Sequence, residues 1–344
     1  MREPGFWQAL LSLDLSARKF RELLKEIGPD CRTAEELSRS PALSPKQREA
    51  IQQRFPLPPI PEDVRVLPMD DPAFPENVRL SADPPPALFV RGSLEPRDAL
   101  AVAIVGTRKA SPYGQSLAMR LAKELASAGI TVVSGAAYGI DAAAHKGALE
   151  AGGRTIAVLG CGVDRAYPSS HRSLLDRIAS SGAVVSQFPI GTPPDAFRFP
   201  SRNFVIAALS RAVIVVEAPA KSGALITAVA AVEEGRHVFV CPAPMDAESH
   251  YGGFALVNEG ATLLYDVGQV LEVLGIEGDL PTSSKEEDLS ESQKRILELI
   301  GGVPVLADTI SDTLDLPSSQ VLAELTQLEL MGKVARLGGG FVRS

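Results

Sequence analysis

The sequence predicts an α/β protein, with a parallel sheet covered by helices on both faces, a small helical domain before it and a winged-helix-like domain after it. Three observations lead there. From Leu100 onward, apolar runs of four to six residues alternate with amphipathic helical stretches, the pattern of a sheet buried on both sides. Four glycine- or arginine-rich turns each lie just after such a run and just before a helix. Proline-rich "FPLPPIPEDV" and acidic "GIEGDLPTSSKEEDLSES" divide the chain into segments. A chain of 344 residues, 45% hydrophobic, can bury one sizeable core and one or two smaller ones.

Residues 1–60 form the first segment. Helical periodicity runs through "FWQALLSL", "ARKFRELLKEIG" and "TAEELSRS", with Gly28-Pro29 as a stop and Ser44-Pro45 as a start. The prolines that follow extend neither a helix nor a central strand and act as a stiff connector. Residues 61–275 form the main segment, an extended Rossmann-like domain. Short strands at Val64–Leu67 and Ala87–Arg91 lead into it. Further strands are expected at about 101–105, 130–134, 154–159, 183–187, 212–216 and 237–241, with helices at about 113–128, 140–151, 170–181, 202–210, 222–234 and 267–274. Residues 276–289 read as an acidic linker. Residues 290–344 give three helices and a terminal hairpin, a winged-helix pattern. That last segment has 5 basic and 7 acidic residues, a poor balance for gripping duplex DNA, so a protein-contact or structural role is expected of it.

The net charge of −8 argues against a nucleic-acid partner until its distribution is examined. Between Ala101 and Arg236 there are 14 Lys and Arg against 9 Asp and Glu, so the basic excess lies with the glycine-rich turns. Cys31, Cys161 and Cys241 form no CxxC pair and are expected to be small buried residues. With no apolar run of membrane-spanning length and no signal-peptide pattern, a cytoplasmic protein without membrane contact is expected.

Strand-to-helix turns all project from the carboxyl edge of such a sheet, where these folds bind ligands. In the first turn, "GTRKASPYG", Gly106 stands where a dinucleotide site has its first glycine. Thr107, Arg108 and Lys109 follow where small residues would admit a pyrophosphate. Backbone amides and the helix dipole after Ser111, beside a guanidinium and an ammonium, suit an anion. The second turn holds Gly135 and Gly139, followed by Asp141 and His145 on one helix face, read as a helix-capping carboxylate beside a buried histidine rather than as an acid-base pair. The third, "FPIGTPPDAFRFPSRNF", interleaves Arg198 and Arg202 with Phe188, Phe197 and Phe199. Cations and aromatic faces are the two components of a single-strand site, and at least one of the three phenylalanines is expected to be buried as an anchor. The fourth places Lys221, Ser222 and Gly223 at a helix N-terminus, with Thr227 one turn in. The chain has no GxxxxGK[ST] loop, catalytic triad, paired catalytic carboxylates or metal-ligand cluster, so no catalytic residue, metal or cofactor is expected.

Together, "VVSGAAYGIDAAAHKGALEAGGRTIAVLGCGVDRAYP", "FPSRN", "EAPAKSGALITA" and "GRHVFVCPAP" resemble the DNA-processing protein A (DprA/Smf) family over nearly the whole chain. The resemblance implies a small helical SAM-like domain, an extended Rossmann domain and a winged-helix-like domain. It also implies a protein that binds single-stranded DNA without reacting on it, protects incoming strands in natural transformation, and helps load the RecA recombinase onto DNA coated with single-strand-binding protein. A homodimer formed through the Rossmann domain is implied as well. Gly106, Thr107 and Arg108 take the place of the family's phosphate-gripping turn, with Thr107 for the usual serine, and Arg202 and Asn203 that of its Arg-Asn motif. Loss of Arg108 or Arg202 is therefore expected to weaken binding without unfolding the domain. Phe204, Ala243 and Phe254 depart from the family pattern. Ser169-Ser170-His171 replaces a common lysine, leaving Arg165 or Arg172 for any contact there. The alternative is a nucleotide phosphoribohydrolase of the lysine-decarboxylase-like Rossmann group. Its glycine-rich turn is echoed only distantly by "KSGALITAVAAVEE", and Glu233 or Glu234 would lie too far along the helix to serve it.

Overall fold

A computed structural model describes residues 2–276, 289–301, 304–331 and 333–343. The chain divides into two compact units, Met1–Pro281 and Thr282–Ser344. The expected linker 276–289 lies almost wholly outside the described residues.

The first unit begins with four helices, α1 (Pro4–Leu11), α2 (Ala17–Ile27), α3 (Ala34–Ser38) and α4 (Pro45–Gln52). Their ends follow the sequence signals. Ser16 caps α2, Gly28 ends it at φ 75°, and Thr33 and Ser44 form capping boxes. Phe6, Trp7, Leu10, Phe20, Leu37 and Ile51 enter one cluster with Phe89, Leu159, Leu174 and Ile178 of the sheet domain. Residues 1–60 thus share a core with the sheet.

The sheet has nine strands. β1 (Val64–Pro68) and β2 (Ala87–Gly92), with the short α5 (Glu76–Arg79) between them, form an antiparallel margin. The parallel part is β3 (Ala101–Val105), α6 (Pro112–Ser127), β4 (Thr131–Ser134), α7 (Ile140–Glu150), β5 (Thr155–Val158), α8 (Arg172–Ser181), β6 (Ala183–Ser186), α9 (Arg198–Leu209), β7 (Ala212–Val215), α10 (Gly223–Glu233) and β8 (His237–Val240). α11 (Tyr251–Asn258), β9 (Thr262–Leu263) and α12 (Gly268–Val273) complete it. The order is β1-β2-β6-β5-β4-β3-β7-β8-β9. α6, α7 and α12 cover one face, and α9, α10 and α11 the other. Strand order reverses between β3 and β7, so a crevice opens at their carboxyl ends.

Expected elements agree with the observed ones within a residue or two except at α9, and α5, α11 and β9 lie outside the expected set. α9 starts at Arg198, four residues before the expected 202, because Pro200 falls in the first turn, where its missing N–H breaks no helical bond. α11 was unexpected. Gly252 and Gly253 weaken its helical signal, yet a Cβ on Gly252 would come within 2.7 Å of the Pro219 carbonyl, so packing demands the glycine.

The second unit packs α13 (Glu291–Leu299), α14 (Ala307–Leu314) and α15 (Ser318–Leu330) against a hairpin of β10 (Val334–Leu337) and β11 (Gly340–Arg343). Ile296, Ile310, Val321, Leu325 and Phe341 form its core. This is the expected winged-helix arrangement. Among the described residues, no helix is long and apolar enough to cross a membrane, and no group of three His, Cys, Asp or Glu is placed to hold a metal ion.

Candidate nucleic-acid interface

At the reversal of strand order lies an open cleft of about 420 Å³, walled by the turns after β3, β6 and β7. Of the sequence-selected residues, Gly106, Thr107, Arg108, Lys109, Phe199, Arg202, Asn203, Lys221, Ser222 and Gly223 line it. Gly135 lines a small adjoining recess, while Ser111 and Gly139 line neither.

The turn after β3 differs from its expected working. Its helix N-terminus already holds an anion, the carboxylate of Glu217, which follows β7 and is 1% exposed. Glu217 accepts from the Ser111 amide at 2.9 Å and from the Ser111 hydroxyl, while Ser111 Oγ accepts from the Gly114 amide at 2.9 Å. The Thr107 amide donates to the Glu217 carbonyl at 2.7 Å. A carboxylate at this position satisfies orphan amides and suits the helix dipole, but it leaves no place for a phosphate there. Ser111, expected as a DNA contact, is therefore a helix cap. Gly106 makes room for packing: a Cβ would lie 2.5 Å from Ile140 Cγ1. Gly139, at φ 76°, lets its backbone pass beside the Thr107 carbonyl. Between β3 and α6, Arg108 and Lys109 are the exposed residues.

Arg202 and Asn203 are also placed differently from expectation. Arg202 is 5% exposed, and its Nη1 donates to the carbonyls of Gly135 at 2.5 Å and Val158 at 2.6 Å. Its Nε donates to Asn203 Oδ1 at 3.1 Å, and Asn203 Nδ2 donates to the Gly223 carbonyl at 3.2 Å. The pair therefore ties the turns after β4, β5 and β7 to the start of α9. The Nε and Nη1 donors of Arg202 thus serve as a scaffold inside the protein, while its Nη2 has no hydrogen-bond partner among the described residues and the side chain lines the cleft. Burial holds the Asp141 carboxyl above its ordinary range, opposed by the Arg202 charge beside it. Asp141 accepts from the Ala137 amide at 3.3 Å, within its own turn. His145 is fully buried, bonds Thr155 through Nδ1 at 2.6 Å, and has its pKa pushed down to about 3 by burial.

The three phenylalanines of the long turn have three fates. Phe188 is buried, Phe197 is 64% exposed, and Phe199 is half-buried at the cleft wall. The guanidinium of Arg108 lies over the Phe199 ring at 5.0 Å and that of Arg202 at 5.5 Å. Arg198, expected as a cation for the backbone, is 9% exposed, paired with Asp14 at 2.8 Å and also with Asp195. It anchors the turn to the N-terminal helices. On the opposite wall Ser222 caps α10, Thr227 is buried, and Lys221 projects into solvent.

Three cations, Arg108, Lys109 and Lys221, thus converge on the cleft, and none is in an ion pair among the described residues. Burial pushes the thiol of Cys161, which lines the adjoining recess, up to about 11 and that of Cys241 up to about 12. Glu217 is the residue that sequence reasoning missed. Its signal is a lone acid closing the apolar run "AVIVVE".

A sequence model of the family described as DNA recombination-mediator protein A matches residues 65–275, and one described as the DprA winged helix domain matches residues 281–340. Protein Smf of Synechocystis is 37% identical over 78% of this chain and 77% of its own length. Protein Smf of Escherichia coli is 37% identical over 81% of this chain and 77% of its own. Among solved structures, DNA processing protein A of Streptococcus pneumoniae aligns at TM-score 0.67 and 32% identity, over 79% of this chain and 98% of that one. DNA processing protein A of Helicobacter pylori, whose structure concerns a unique single-stranded DNA binding mode, aligns at TM-score 0.55 and 30% identity, over 61% of this chain and 95% of that one.

Proposed function

Because the chain belongs to the DNA recombination-mediator protein A (DprA/Smf) family, we propose that it binds single-stranded DNA through the cleft between β3 and β7, shields the strand, and helps load the RecA recombinase onto it without chemically altering it. The observation that carries this reading is the convergence of unpaired Arg108, Lys109 and Lys221 around the half-buried Phe199 ring. Cations meet successive phosphates, and an aromatic face accepts any base, so the combination holds a strand without reading its sequence. The relative from Helicobacter pylori, with its single-stranded DNA binding mode, supports the choice of ligand. In this reading its partners are RecA, single-strand-binding protein and a second copy of the chain paired through the Rossmann-like domain, in the cytoplasm.

The winged-helix unit has a different part in this reading. α15 contains no Lys or Arg, and its exposed positions include Ser319, Leu322, Ala323 and Thr326. A helix that lies in a duplex groove depends on cations for phosphate contact. This face suits a protein partner better.

Fluorescence anisotropy with labelled oligo-dT, competed by unlabelled single strand or duplex of equal length, tests the function. Single strand is expected to compete well and duplex poorly. Equal competition, or no binding of the probe at low salt, overturns the reading.

A further inference from the structure

Next to the cleft, the turns after β4 and β5 carry two tyrosines outside the cleft lining. Tyr138 is 51% exposed and Tyr167 38%. Both are held in place despite that exposure. Tyr138 Oη lies 3.0 Å from Ser170 Oγ, and its ring stands edge-on to His171 at 4.9 Å. His171 is in turn fixed by Nδ1, 3.0 Å from the Ala136 carbonyl. The Tyr167 ring lies 5.8 Å from the Phe199 ring, tilted by 34°. A shallow recess lined by Arg108, Gly135, Gly160, Tyr167 and Phe199 joins this place to the cleft. A Cβ on Gly160 would come within 2.8 Å of Phe199, so that glycine admits the ring.

We propose that Phe199, Tyr167 and Tyr138 form a row of base-stacking platforms that carries a single strand out of the cleft and across the carboxyl ends of β4 and β5. The ligand is a run of unpaired nucleobases of any sequence. The inference rests on the reading that the cleft binds single-stranded DNA. Exposed aromatic area forgoes burial that would otherwise stabilise the fold, and a ring already fixed by hydrogen bonding loses little freedom when a base stacks on it. Arg165, on the loop of Tyr167, and Arg172, the first residue of α8, are both exposed and flank the row with positive charge.

The test uses the full chain and an oligo-dT series from about 4 to about 16 nucleotides, a range spanning common single-strand site sizes. Tyr138→Ala and Tyr167→Ala are expected to weaken binding of the longer oligonucleotides by roughly 5- to 150-fold, the effect of removing one stacked base. Binding of the shortest, and the salt slope, should stay as in the wild type, because every phosphate-binding cation is kept. Tyr138→Phe keeps the ring but loses the Ser170 bond, and should recover most, though not all, of the affinity that Tyr138→Ala loses. The chain's one tryptophan, Trp7, is buried, so Tyr138→Trp adds an exposed reporter whose emission should be quenched by long oligo-dT. Alanine variants that bind every length as the wild type does overturn the row and leave the cleft standing. Alanine variants that change the oligomeric state at unchanged DNA affinity assign the tyrosines to a protein interface and also overturn it. Wild-type protein that binds no length defeats the underlying reading instead.

Discussion

Arg108 and Arg202 both approach Phe199 from the same sheet edge, yet their guanidinium groups serve different ends. Arg108 is exposed and in no ion pair among the described residues, whereas Arg202 is buried, with Nε donating to Asn203 and Nη1 to two carbonyls. Arg202→Ala is therefore expected to destabilise the protein by about 3–5 kcal/mol, since it strips donors from buried carbonyls and leaves Asp141 without its neighbouring charge. Arg202→Lys should restore little, because one ammonium cannot reproduce the planar fork. Urea melts of the three proteins check this. Unchanged stability combined with abolished DNA binding would mean that Arg202 reaches a phosphate after all. In the sequence the two arginines looked equivalent, since both stand in glycine- or aromatic-rich turns. Only burial separates them, and burial depends on Gly135 and on β5, distant in sequence. For the same reason Ser111 read as a DNA contact, and neither its role as a cap nor its bond to Glu217 was legible.

At the scale of elements, α7 is joined to β5 and β4 by a buried polar chain. Thr155 Oγ1 donates to the Val132 carbonyl, so the His145 Nδ1 that bonds it carries the proton, and Nε2 has no partner. The histidine is neutral, with its pKa pushed from 6.5 down to about 3 by burial. A pKa lowered on folding contributes stability that is present above the unfolded value and is lost as pH falls toward the folded one. From about pH 7 to about pH 5, the wild type should lose about 2 kcal/mol more than His145→Gln, read from urea melts at both pH values. Equal losses would show that burial does not hold the imidazole neutral. Strand and helix placement was legible because the period-2 and period-3.6 patterns are strong in buried α/β units. α11 was not, because its glycines answer to a tertiary contact. The long turn before α9 announced itself by length and composition. Its tie to the N-terminal helices through Arg198 and Asp14, 184 residues apart, did not.

For the whole molecule, the balance of charge is settled locally. Residues 101–236 carry a basic excess inside an acidic chain, and with a Debye length of about 8 Å at physiological salt, the cations at the cleft govern a bound strand more than the net −8 does. The partition of the chain was partly visible. Prolines 56, 58, 59 and 61 read as a stiff connector, but such a reading does not reveal that the helices before it return to share a core with β2, β5 and α8. The central claim is that exposed cations at the switch between β3 and β7 grip the backbone of a single strand. Its most direct measurement is the salt dependence of oligo-dT affinity for the wild type and Arg108→Ala. Removing a cation that neutralises one phosphate should lower the log-log slope by roughly 0.7 while the melting temperature is unchanged. An Arg108→Ala protein with the wild-type slope and affinity would contradict the claim.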